Sequence, residues 1–279
     1  MFVNSMLKEA LSDFEDIRAA VRDRYGAIAR ERGQASGNCC AQNGAPVSSC
    51  CSNAGSTSDS AALLGYSEKD IAAVPEGADL GLGCGTPLSA AALRPGETVL
   101  DLGSGAGFDC FLAAREVGPT GKVIGVDMTI EMVAKARRNA MTGNYDHVDF
   151  RLGEIEYLPV ADSFVDVIIS NCVINLSPDK PQVFREAFRV LKHGGRLAIS
   201  DVVTPIPLPD DIKRDLALHT GCLAGASLIS ELQATLEQCG FADIRIAPKS
   251  ESREFIKDWA PGLKLEDLVV SAVIQAIKP

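Results

Sequence analysis

The string DLGSGAGFD at 101–109 constrains the fold more than any other part of this chain. It follows the apolar run TVL and leads into FLAAREV, so a buried strand enters a glycine turn that opens a helix. Around it, short β-rich runs alternate with helical periodicity. The pattern predicts strands at 98–102, 122–126, 148–152, 165–170 and 196–200, with helices near 108–117, 130–141 and 180–191. Such alternation builds a parallel sheet joined by crossover helices, so the fold class is α/β, a Rossmann-like doubly wound sheet. Gly194-Gly195, after Leu191, reads as a helix-ending turn.

The flanks differ in character. Leu7, Leu11, Phe14, Ile17 and Val21 recur at three and four with charges between them, which predicts an amphipathic N-terminal helix ending near Tyr25-Gly26. Residues 33–60 are mostly Gly, Ser, Ala, Asn and Cys, too poor in large apolar side chains to offset ordering entropy, and are expected to form a mobile loop. After Pro205, a helical stretch opens at LPDD, a second helix runs near 229–239, and 242–246 and 269–277 read as strands. At 279 residues and 46% hydrophobic, the chain can bury one full core plus a smaller part. The expected organisation is 1–60 as helix and Cys-bearing loop, 61–204 as the ligand-binding sheet domain, and 205–279 as a C-terminal α+β subdomain that completes the sheet.

A formal net charge of −10 repels polyanions at long range, which argues against nucleic-acid and anionic-membrane partners and for a small molecule. No apolar run reaches the roughly eighteen residues of a membrane span, and Lys8, Glu9 and Asp13 stand where a signal peptide needs apolar residues. A cytoplasmic monomer is expected. Nine cysteines are many for such a protein, yet too few and unevenly spaced for a disulfide scaffold, and no C-x-x-C pair suggests a zinc ribbon. Metal, metalloid or redox chemistry explains them better.

The glycine loop identifies its ligand by exclusion. A dinucleotide needs G-x-G-x-x-G with amides facing a pyrophosphate, whereas the glycines here are Gly103, Gly105 and Gly107, with Ser104 between the first two. Asp101 ends the strand, where its charge would repel a pyrophosphate. S-adenosylmethionine has no phosphate and carries an ammonium and a sulfonium, so the same carboxylate favours it. Asp127, twenty residues beyond Gly107, ends the second strand where it can accept both ribose hydroxyls. Met128 is expected beside the adenine and Glu154 at its edge, and Ile155 and Asn171 complete the cofactor set. Asp109 reads equally well as a contact or as an exposed first-turn residue.

The acceptor side lacks a base. Carbon, nitrogen and oxygen acceptors usually lose a proton on methylation, but His147 and His193 read as surface residues and His219 as structural. Cysteines stand there instead. Cys172 follows the fourth strand, Cys84 lies in GLGCGTP and Cys222 in HTGCLAGA, while Cys110 and Cys239 fall on apolar helix faces as small buried hydrophobes.

Taken in order, GLGCG, DLGSGAGFD, GVDMT, SNCVINLSPDK, RVLKHGG and GCLAGA resemble the arsenite S-adenosylmethionine methyltransferases, whose sheet is of the class I methyltransferase type. The resemblance implies that three thiolates, at the matching Cys84, Cys172 and Cys222, hold arsenic(III), which receives one, two or three methyl groups. It also implies an upstream cysteine able to pair with Cys84. Cys39, Cys40, Cys50 and Cys51 are candidates, with Cys50 or Cys51 nearest in sequence. Thiolates suit a soft centre that has a lone pair and no proton to lose. Thioredoxin or glutathione would reduce the disulfide formed when arsenic returns to the trivalent state. Two alternatives remain: a class I methyltransferase acting on a small organic acceptor, and a protein that sequesters metalloid without turnover.

Overall fold

The computed structural model describes residues 2–31, 61–62, 64–213, 215–257, 259 and 265–279. Cys39, Cys40, Cys50 and Cys51, and the loop expected at 33–60, lie outside the described residues. Five parallel strands, β1 (Thr98–Leu102), β2 (Lys122–Asp127), β3 (Val148–Leu152), β4 (Val165–Asn171) and β5 (Leu191–Thr204), are ordered β3-β2-β1-β4-β5. A two-residue strand, β6 (Ser227–Leu228), pairs with the end of β5. The tail strands β7 (Ala242–Pro248) and β8 (Val270–Ile277) extend the sheet antiparallel, β8 beside β5 and β7 beyond it.

Residues along each central strand alternate between two cores, as the two-residue period of a strand requires. Val99, Val123, Val167 and Ile169 face the layer of α4 (Phe108–Val117) and α5 (Ile130–Thr142). Leu100, Leu102, Ile124, Val126 and Ile168 face α6 (Lys180–Val190) and α9 (Ile229–Gln238). Short helices α2 (Glu68–Ala72) and α3 (Leu88–Ala91) precede the sheet, and α7 (Asp210–Lys213), α8 (Leu216–Thr220) and α10 (Arg253–Ile256) lie in the tail.

Two sequence expectations need correction. Helix α1 (Phe2–Glu31) runs through Tyr25-Gly26 rather than ending there. Tyr25, Ile28 and Ala29 pack with Leu80, Ala106 and Met132, and this burial outweighs the roughly 1 kcal/mol that an internal glycine costs. The second concerns Gly194-Gly195. Helix α6 is closed earlier, by Leu191, which is extended and bonds its N–H to Ala187 O. Gly194, at φ +77°, instead lies in a bulge of β5, where the register passes from Val165↔Leu191 to Val167↔Arg196.

Candidate active site

In a doubly wound sheet the ligand crevice opens at the carboxyl ends of the strands where the order reverses, here between β1 and β4. A cavity of about 540 Å³ lies there. Asp101, Gly103, Ser104, Gly105, Asp127, Met128, Ile155, Asn171, Cys172 and Cys222, all anticipated from sequence, line it together with Tyr25, Tyr66, Asp109 and Glu156. Gly107 caps α4 at φ +98° behind the loop. Glu154 does not line it and pairs with Arg18 and Arg22 of α1, while Glu156, two residues on, lines it and accepts from Ser177 at 2.6 Å.

The turn after β1 is held by its own backbone. Gly103 and Ser104 donate to Val126 O at 2.8 and 3.0 Å, and Gly105 donates to Asp127 Oδ2 at 2.9 Å. Asp127 Oδ1 also accepts Thr129 N–H at 2.8 Å. Gly103 sits at φ +72°, and a Cβ there would fall 2.4 Å from a Val173 methyl, so the chain beyond β4 closes directly on the turn.

Three carboxylates meet at this end without a buried cation among their described partners. Asp101 is 3% exposed and accepts the Cys110 thiol at 3.2 Å; Asp109 accepts the Tyr66 hydroxyl at 2.6 Å. Burial raises all three acids, Asp109 to about 6, and Asp109 raises Asp101 further through repulsion. The arrangement therefore favours a cationic ligand, which would lower the cost of ionising these groups. Asp109 was ambiguous in the sequence; it is 7% exposed and faces the cavity.

On the β4 side, three cysteines from distant segments share one apolar cluster with Val21, Leu176 and Leu223. Cys84 and Cys172 are joined by a disulfide with Cα atoms 5.8 Å apart. Among the described residues the partner of Cys84 is thus Cys172, not an upstream cysteine. Cys222, buried and free, donates to Cys172 O at 2.8 Å. Cys172 and Cys222 have φ of +57° and +65°, a left-handed conformation that costs a non-glycine residue roughly 1–2 kcal/mol and persists where the surroundings enforce it. Burial pushes the Cys222 thiol well above its ordinary value, and the Asp201 carboxylate adds to the rise.

Sequence reasoning missed two groups here. Asp201 in β5 is fully buried, lies with its carboxylate oxygen and the Cys84 and Cys172 sulfurs all within 4.8 Å of one another, and is raised by burial to about 7. It accepts from Asn175 Nδ2 and Val202 N at 2.8 and 2.7 Å. The other is α1, whose Arg24 donates to Thr220 Oγ1 at 2.9 Å and so ties this helix to the segment carrying Cys222. Nothing local marks Asp201, and α1 was expected as an amphipathic helix but not as a partner of this segment. The histidines stand aside: His147 contacts Ala114 O, His193 contacts Pro279 O, and His219, lowered by burial, contacts Leu176 O. Cys110 is buried; Cys239 is only half-buried against the α6–α9 core.

Residues 93–240 match a family described as a methyltransferase domain. Arsenite methyltransferase of Halobacterium salinarum is 56% identical over 269 residues, 96% of this chain and 68% of that protein. Arsenite methyltransferase of Mus musculus is 33% identical over 85% of this chain and 61% of its own length. An arsenic(III) S-adenosylmethionine methyltransferase from Chlamydomonas reinhardtii has a similar structure, with a TM-score of 0.61 at 32% identity over 78% of this chain and 72% of that one.

Proposed function

Because this chain belongs to the arsenite methyltransferase family, we propose that it transfers methyl groups from S-adenosylmethionine to arsenic(III) held by Cys84, Cys172 and Cys222. The observation that carries this reading is a single buried cluster of three cysteines, of which Cys172 and Cys222, both in left-handed backbone, line a cavity that Asp101, Asp109 and Asp127 also line, while Cys84 lies behind Cys172. The cofactor's chemistry fits those residues: Asp101 and Asp109 suit its ammonium, Asp127 its ribose, and Met128 and Ile155 its adenine. S-adenosylmethionine supplies an electrophilic methyl group on a sulfonium.

The protein's part is mainly positioning. Arsenite exchanges its hydroxyls for thiols, each cysteine proton leaving with a hydroxyl as water, so the buried thiols need no separate base. Arsenic bound to three sulfurs keeps a lone pair, and this is the nucleophile. Methylation raises arsenic to the pentavalent state. Two thiolates can then each give one electron: two As–S bonds break, one S–S bond forms, and arsenic returns to the trivalent state still carrying its methyl group. The Cys84–Cys172 pairing supports these two as the donors. A dithiol or glutathione then reduces the disulfide by exchange.

In this reading, residues 205–279 serve the acceptor side through Cys222, the products are mono-, di- and trimethylated arsenicals, and the enzyme works as a cytoplasmic monomer. Among the described residues no helix is long and apolar enough to cross a membrane. The test is release of S-adenosylhomocysteine with arsenite and with methylarsenite, each with and without thioredoxin. Arsenite-dependent release that Cys172→Ser abolishes supports the proposal. Turnover of an organic acceptor that is indifferent to Cys172 would overturn it.

A further inference from the structure

The carboxamide of Asn171, at the end of β4, is shared between the two halves of the cavity. Its Oδ1 accepts the Cys84 N–H at 3.1 Å. Its Nδ2 lies 2.8 Å from Gly85 O, 3.0 Å from the Tyr66 hydroxyl oxygen and 3.2 Å from Asp109 Oδ2. An amide nitrogen carries only two hydrogens, so three acceptors compete for two donors. The Tyr66 proton is already committed to Asp109 Oδ1 at 2.6 Å, which leaves the phenol oxygen to accept from Asn171.

The competition bears on the thiol side once the Cys84–Cys172 disulfide is reduced, because Asn171 then holds the backbone of the Cys84 loop. The loop's next tie is Ser271, whose hydroxyl donates to Cys84 O at 2.7 Å. Glycine at 83 lets this segment approach the carboxamide closely: a Cβ there would lie 3.0 Å from both its Nδ2 and Oδ1. Gly85 O has the shortest of the three contacts, and the buried Asp109 carboxylate, at 3.2 Å, competes for the same two hydrogens.

We propose that Tyr66, Asp109 and Asn171 couple the cofactor to the arsenic site: a cation seated on Asp109 satisfies that carboxylate, frees both Asn171 hydrogens for Gly85 and Tyr66, and fixes the loop that carries Cys84. This rests on the reading that the carboxylate end of the cavity takes the ammonium of S-adenosylmethionine. Its consequence is positive cooperativity between the methyl donor and trivalent arsenic, equal in both directions because coupling is reciprocal. Tyr66 acts here as a positioning residue. It binds neither the acceptor nor the methyl group, but orients Asp109 and holds the amide that holds the loop.

The experiment measures arsenite affinity of the full-length reduced protein, using the single tryptophan, Trp259, which lines the cavity. Titrations are run alone, with saturating S-adenosylhomocysteine, which keeps the ammonium, and with saturating 5′-methylthioadenosine, which lacks it. The expected result is arsenite binding about 5- to 20-fold tighter with S-adenosylhomocysteine and unchanged with 5′-methylthioadenosine. In Tyr66→Phe and Asp109→Asn the enhancement should fall to about onefold, with arsenite still bound. Wild-type protein that binds S-adenosylhomocysteine without tightening on arsenite would overturn the coupling, as would equal enhancement by both nucleosides, a result that needs no variant to fold. Failure of S-adenosylhomocysteine to bind would instead remove the cofactor reading, and the coupling with it.

Discussion

The Cys222 thiol donates to the carbonyl oxygen of Cys172 at 2.8 Å, joining two left-handed residues fifty positions apart. One cysteine follows β4 and the other follows α8, so the tail is anchored to the crevice through the pair that faces it.

This pairing ranks the cysteines. Arsenite has three exchangeable positions, but methylarsenite has one taken by carbon and can bind only two sulfurs. Cys172 and Cys222 line the cavity, so replacing either with Ser is expected to abolish methylation of both substrates. Cys84→Ser should stop the arsenite step more than the methylarsenite step. Product analysis by arsenic speciation checks this; equal loss of both steps in Cys84→Ser would contradict the ranking.

Asp127 has two functions that a single substitution separates. It holds Gly105 and Thr129 in the free protein and is proposed to take the ribose hydroxyls. Asp127→Ala should weaken S-adenosylhomocysteine binding by about 1–3 kcal/mol while arsenite binding persists in the reduced protein. Calorimetry with each ligand is the measurement. Unchanged cofactor affinity would place the ribose elsewhere.

How much of this was readable in advance depended on how local each cause was. Strands β1 and β3 fall on the bounds expected from sequence, β1 as a buried apolar run and β3 as an alternation about the buried Phe150. Asp101, Asp127 and Cys172 were legible for the same reason: a strand end in a parallel sheet has a known destination. Asp201 was not, since it lies inside a long strand, and its meaning comes from sulfurs contributed by two other segments. Glu154 and Glu156 follow β3 in a turn, where the two-residue period no longer sets which side chain faces inward, and the partner Arg18 is 138 residues from Glu156. The role of Tyr66 likewise depends on Asp109 and Asn171, 43 and 105 residues away.

Gly225 tests the packing behind Cys222. A Cβ there would fall 2.0 Å from the backbone oxygen of Asn175, the residue that also donates to Asp201. Backbone cannot yield as a flexible side chain does, so Gly225→Ala should destabilise the protein by about 1–3 kcal/mol and displace the Cys222 segment. Urea unfolding gives the first effect and arsenite affinity the second. A variant of wild-type stability would show that the segment accommodates the methyl group by moving.

The last prediction concerns pH and follows from the buried acids. Asp109 is raised by burial to about 6, and Asp101 and Asp127 are raised by the same cause. A carboxyl whose folded value lies above its unfolded one is still protonated in the folded chain when the unfolded chain has ionised. Between about pH 4 and 6 Asp109 therefore binds more protons in the folded than in the unfolded chain, and its contribution makes stability fall as pH rises through that window; Asp101 and Asp127, raised by the same cause, act in the same direction. Cofactor binding should run the opposite way. A cation needs the ionised acids, so affinity for S-adenosylhomocysteine should weaken as pH falls below about 6, by up to about tenfold per pH unit for one coupled proton. Binding near pH 6 should release protons, measurable as a dependence of the calorimetric heat on buffer ionisation enthalpy. Asp109→Asn should flatten the profile while leaving residual binding through Asp101 and Asp127. An affinity independent of pH between 5 and 8 in the wild-type protein would mean that these carboxylates do not meet the cofactor's charge.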